Sequence, residues 1–305
     1  MICSNSLRRW LPFSRVEFYL FEPLPKRELE DFWNLICFQN GKVVSRSKGK
    51  EILYFPIGER EREDGSYGRG GGNLSARGAG VYIKKRGFDG WGYLFSCLCS
   101  LRRPESICMR EVKMLRELEE CGFSIMPPLA VGQLLLGGVI PLAGVGVFGY
   151  VEGEDLEVLF RKGSLALRRK IMRHWGSLLG LLHRRGFYQT VVLKDLICIR
   201  DGTRLHFTII DREVHTPWSV PFSLSRARRA LVKTLFRLEK DGLDCRAKEL
   251  AVFWDAYWPC VEVLQSRQQR RKFLAQLRRE YSWYLWRRGW KKRLRTLRLW
   301  CFGRS

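Results

Sequence analysis

The chain has 305 residues, 46% of them hydrophobic and 13% aromatic, which is enough to bury a real core and excludes wholesale disorder. Its net charge of +24 gives a surface that attracts polyanions: nucleic acid, phosphate-rich glycolipid or an anionic leaflet. Ten cysteines and four histidines show no CxxC and no ligand clustering, which argues against a structural zinc site and in favour of a reducing compartment.

The start, MICSNSLRRWLPF, has no apolar run long enough for a signal peptide, and residues 1–50 read as a weakly patterned extension broken by Pro23 and Pro25. Residues 51–57 predict a strand that Pro56 assigns to a sheet edge. Residues 58–80 are charged and glycine-dense. Within them Gly65 to Gly80 reads equally as a phosphate-cradling loop or as a plain hairpin connection. Val81-Tyr82-Ile83-Lys84 predicts a strand, on which Lys84 and Lys85 take opposite faces. Cys97 and Cys99, in an apolar stretch, are expected as small buried residues.

Residues 110–120 predict an amphipathic helix through Val112, Leu115 and Leu118, with Gly122 just beyond its end. Residues 129–151 carry no charge and are long enough to span a bilayer. Six glycines and Pro141 instead divide them into two buried strands with a turn. Beyond Glu152 the periodicity is helical over 155–160, 167–184, 224–240 and 250–264, with a short hairpin, 196–199 and 207–210, turning at Asp201-Gly202. The tail, 267–305, has 14 Lys/Arg against the single acid Glu280, with Trp283, Trp286, Trp290 and Trp300 interleaved. In it Phe273, Leu277, Tyr281 and Tyr284 share one helical face.

The order of these motifs carries a resemblance. YIKKRGFDGW (82–91), the stretch 102–132, LGLLHRRGFY (179–188) and TIIDRE (208–213) together resemble the lipopolysaccharide kinase family, of Kdo/heptose kinase type, within the protein-kinase-like fold. The resemblance implies an α+β, two-lobed fold: an N-lobe over 51–151 with an antiparallel sheet and one helix, and a mostly helical C-lobe over 152–266. It implies ATP and Mg²⁺ as cofactors and phosphoryl transfer to an inner-core sugar of a membrane glycolipid. Lys84 matches the lysine that meets the nucleotide phosphates, Glu111 the helix glutamate that orients it, and Asp211 the metal-binding aspartate. His183 is expected to be structural.

One departure bears on activity. Where the family carries its catalytic aspartate this chain has Val191 or, shifted by one, Thr190, and neither is a general base. The shifted reading places Asp195 at a second metal position, from which it is also the displaced catalytic candidate. Two readings stay open: a sugar kinase, or a pseudokinase that binds without transfer. A nucleic-acid-binding protein is the weakest reading, since no nucleic-acid motif accompanies the charge. The expected location is cytoplasmic and peripheral on the inner membrane, with residues 267–305 lying on inner-leaflet anionic lipid.

Overall fold

The computed structural model describes residues 13–24, 27–47, 50–56, 80–202, 204–211 and 220–301, with the backbone alone over 27–28 and 290–301. The chain divides into two compact units, Met1–Gly153 with His206–Thr216, and Glu154–Leu205 with Pro217–Ser305.

The first unit is built on a six-stranded antiparallel sheet in the order β1-β5-β6-β4-β3-β2. Its strands are β1 (Ser14–Leu20), β2 (Lys42–Ser47), β3 (Lys50–Pro56), β4 (Gly80–Gly87), β5 (Pro128–Leu136) and β6 (Ile140–Gly149). The charge-free stretch forms β5 and β6, almost wholly buried, joined at Gly137 and Gly138, whose φ of 59° and 73° suit a tight hairpin turn. Among the described residues no helix is long and apolar enough to cross a membrane. Two expectations change. Residues before 50, read as an extension, supply β1, β2 and the short helix α1 (Phe32–Cys37), whose Phe32, Leu35 and Ile36 enter the sheet's core. β3 is interior, between β4 and β2; Pro56 is its last residue, where a missing donor costs little.

Two more helices complete this unit: α2 (Trp91–Cys99) and α3 (Ile107–Glu120). α3 begins at Ser106, whose Oγ caps Met109 N–H at 3.3 Å. Ser106 N–H donates to Gln133 Oε1 at 2.9 Å, and Gln133 Nε2 donates to Glu17 Oε2 at 2.9 Å. This buried polar chain ties the start of α3 to β5 and β1. Gly144 permits the close approach, since a Cβ there would lie 2.5 Å from Ser106 Oγ.

The second unit is mainly helical: α4 (Leu156–Lys162), α5 (Leu165–Arg184), α6 (Leu224–Lys240), α7 (Ala247–Tyr257) and α8 (Arg267–Cys301). β7 (Glu154–Asp155) pairs with β8 (Leu196–Asp201), and β9 (Arg204–Ile209) carries the chain back into the first unit. α5 and α7 touch through glycine: a Cβ at Gly176 would sit 2.3 Å from Phe253 O, and one at Gly180 3.0 Å from Tyr257 O. Around that contact Trp175, Phe253, Tyr257 and Trp258 form an aromatic core. The tail is one helix whose Phe273 and Leu277 are buried, Phe273 lying against Trp254 and Trp258.

Candidate functional site

β4 explains the divergence of its two lysines. Lys84 and Arg86 lie on one face, and Lys85 on the other. Lys85 is buried, donates to Phe38 O and lies 3.5 Å from Glu51; burial lowers its pKa against the pull of that carboxylate. It holds β4 to the chain after α1.

Lys84 Nζ sits 2.5 Å from Glu111 Oε1, with Phe148 beneath it at 4.8 Å from the ring centroid. Glu111 is placed by the capped start of α3, five residues before it. Asp211 follows β9, which is fixed to the segment after α3: Met126 N–H donates to Ile209 O at 2.8 Å, Ile209 N–H to Ser124 O at 3.0 Å, and the Ser124 and Thr208 hydroxyls lie 2.9 Å apart. That anchorage brings Asp211 Oδ1 to 3.5 Å and Ile210 O to 3.4 Å from Lys84 Nζ. Lys84, Glu111 and Asp211, scattered over more than 120 positions, therefore meet within one unit.

The electrostatics follow from burial. Burial opposes charge on Lys84, but the Glu111 and Asp211 carboxylates outweigh it and raise the ammonium's pKa above its ordinary value, so Lys84 is charged. Burial likewise opposes ionisation of Asp211, yet Lys84, Lys50 and Arg86 hold its carboxyl below the usual range. Glu111 is fully buried, and burial pushes its carboxyl upward against the Lys84 ammonium. Its Oε2 is buried with no hydrogen-bond partner among the described residues. Three cations, Lys84, Arg86 and Lys50, thus surround two carboxylates, and Lys50 stands opposite Arg86 in the β3–β4 register. The sequence reading missed Arg86, although strand alternation from Lys84 was the signal. A surplus of cations suits a polyphosphate, and the half-exposed Asp211 carboxylate suits a hard cation held by that phosphate. Among the described residues no group of three His, Cys, Asp or Glu gathers as a self-sufficient metal site. Mg²⁺ shared with phosphates needs only one or two protein carboxylates, so the residues present fit it.

The remaining candidates belong to the second unit. Val191 is 1% exposed, an apolar core residue beside Val192 and Leu193; Thr190 is half-buried. Asp195 is buried, and its Oδ2 accepts Val192 N–H at 3.0 Å, closing the turn Leu193–Asp195. His183 is buried with Nδ1 2.8 Å from Tyr257 Oη, and burial lowers its pKa to about 3. The glycine-rich candidate loop, Gly65 to Gly80, lies outside the described residues up to position 79.

Neither protein-family models nor curated proteins give a match to this chain. Among solved structures, WaaP in complex with acyl carrier protein aligns over 87% of this chain and 98% of WaaP, with TM-score 0.55 and 16% identity. The bifunctional kinase-methyltransferase WbdD aligns over 66% of this chain and 45% of its own, with TM-score 0.35 and 19% identity. The Rv3197–erythromycin complex from Mycobacterium tuberculosis aligns over 81% and 62%, with TM-score 0.37 and 15% identity. The last two scores are too low to establish a shared fold. The WaaP likeness is one of fold, and with the antiparallel sheet and the helical unit it fits a two-lobed, protein-kinase-like architecture.

Proposed function

We propose that this chain is an ATP-dependent phosphotransferase of the lipopolysaccharide kinase type, acting on an inner-core Kdo or heptose of a membrane glycolipid. The observation that carries the reading is the Lys84–Glu111–Asp211 constellation, 2.5 and 3.5 Å between charged atoms, formed from three distant segments in the order the family's motifs require. The fold likeness to WaaP supports it.

In this reading Lys84 contacts the α- and β-phosphates of ATP, and Glu111 fixes the ammonium in place. Asp211, with Asp195 as second candidate, holds Mg²⁺. The bound metal would neutralise charge on the transferring phosphoryl group. The chain's own contribution is to position the phosphates and supply fixed cations, which is most of what phosphoryl transfer asks of a protein. Asp195 remains the displaced candidate for orienting the acceptor hydroxyl. Residues 267–305 lie on anionic lipid, where Trp283 and Trp286 are exposed beside Arg287.

A second reading, binding without transfer, is favoured by one observation: the two residues that match the missing aspartate are a core valine and a threonine, and the nearest carboxylate in sequence caps its own turn. A thermal melt with ATP and Mg²⁺ tests the nucleotide site; turnover against a Kdo-terminated lipid A separates transferase from binder. A stabilising shift without turnover selects the second reading, and neither effect rejects both.

A further inference from the structure

α2 is a nine-residue helix that, among the described residues, is fastened along one side. Tyr93 and Cys97, one turn apart, face the body of the first unit. Tyr93 Oη accepts Glu105 N–H at 3.1 Å, the Arg110 guanidinium stacks 4.0 Å above its ring, and Cys97 is the one buried residue of the helix. The opposite side carries Trp91, Phe95 and Leu98, which helical spacing places within one narrow stripe. They are 74%, 68% and 71% exposed. Phe88 extends the stripe, its ring 5.4 Å from that of Trp91. Leu101 prolongs it beyond the C-terminus: it is 95% exposed and has φ 51°, the one non-glycine residue at positive φ among the described residues. A glycine would relieve that backbone, yet a large apolar side chain stands there facing outward.

The charge around the stripe identifies what covers it. Residues 90–104 contain no acid. Among the described residues the flanking carboxylates are paired within the unit: Asp89 with Arg110, Glu17 with Arg103 at 2.5 Å, and Glu105 with Lys113. Arg102, exposed at the end of α2, adds an outward cation. An apolar stripe with an outward tryptophan, an exposed arginine at its edge and, among the described residues, no flanking acid without a cationic partner is complementary to a bilayer bearing anionic headgroups. At about 1.5 Å per residue the helix is roughly 14 Å long, far short of a span, so it lies along the interface.

We propose that α2, with Phe88 and Leu101, is a membrane-docking element that inserts its Trp91–Phe95–Leu98 stripe into the headgroup region of an anionic bilayer. The element belongs to the sheet unit, is separate from the basic tail, and does not depend on phosphotransfer.

The test is co-sedimentation of the full chain with vesicles of phosphatidylglycerol and phosphatidylcholine, and with phosphatidylcholine alone. The Phe95→Glu/Leu98→Glu double variant should lose at least tenfold in partitioning to the anionic vesicles while keeping its melting temperature, because both side chains are already in water. Trp91→Phe should still bind but show measurably less quenching by brominated lipid. Wild-type binding by the double variant would assign lipid contact to α8 and overturn the proposal. So would quenching unchanged in Trp91→Phe, or a self-association of the wild type that the double variant abolishes, which would make the stripe an interface between copies.

Discussion

Lys84 and Lys85 are adjacent, carry the same charge and are both buried, yet β4 gives them different partners. Lys84→Ala should weaken MgATP binding at least tenfold in titration calorimetry, since the Glu111–Asp211 pair would lose its cation. Lys85→Ala should leave that affinity intact but cost about 1–3 kcal/mol of stability by leaving Phe38 O unpaired. Equal effects of the two on binding would contradict the assignment by strand face. Val191 carries a prediction of the opposite kind. Because it is a core residue, Val191→Asp should not restore a base. It buries a carboxylate, and urea unfolding should show a loss of about 3 kcal/mol or more. A variant of full stability would show that the position opens to solvent. Burial lowers the pKa of His183 from its ordinary 6.5 to about 3 in the fold. Between pH 6.5 and about 3 the unfolded chain therefore takes up a proton that the folded chain refuses, and stability decreases as pH is lowered, by up to about 1.4 kcal/mol per pH unit. Above pH 6.5 this cost is absent. His183→Gln should flatten the acid side of the Tm-versus-pH curve; an unchanged slope would place the acid sensitivity elsewhere.

Elements with strong periodicity were legible before their contacts were known. The charge-free stretch resolved into β5 and β6 because its glycines sit where a hairpin must turn, and α6 runs over the span its helical periodicity predicts. α2 was not legible as an element: its apolar residues face out, so the usual inference from hydrophobic stripe to core points the wrong way, and Cys99 is exposed where burial was expected. β1 was hidden for a related reason, since a half-covered edge strand has only one buried residue to show. The interior place of β3 depends on β2, whose six residues are all exposed and carry no strand signature. The α5–α7 contact makes an element-scale prediction. Gly176→Ala should destabilise the helical unit by about 1–3 kcal/mol in urea unfolding, because the added methyl meets Phe253 backbone and not a movable side chain. Ser177→Ala, one residue away and half-buried, should change stability by far less. A neutral Gly176→Ala would mean that the helices pack more loosely than 2.3 Å implies.

At the scale of the whole molecule, a β-rich half followed by an α-rich half announced the architecture, and the fold likeness to WaaP agrees with it. The meeting of Lys84, Glu111 and Asp211 was legible only through the resemblance, because no local pattern links a strand, a helix and a strand end. Arg86 and Lys50, which complete the positive surround, follow from sheet register, and register is not written in composition. The tail shows the converse. Its charge was plain, but Phe273 and Leu277 are spent on packing against the helical unit, so only its other sides remain for a surface. The measurement that bears most directly on the account is transfer of the γ-phosphate from ATP to a Kdo-terminated lipid A by the full chain, beside Asp211→Asn and Lys84→Ala. Mg²⁺-dependent transfer by the wild type, reduced at least a hundredfold in both variants, is the expected result. Transfer unaffected by either substitution, or none by a wild type that binds MgATP, would contradict it.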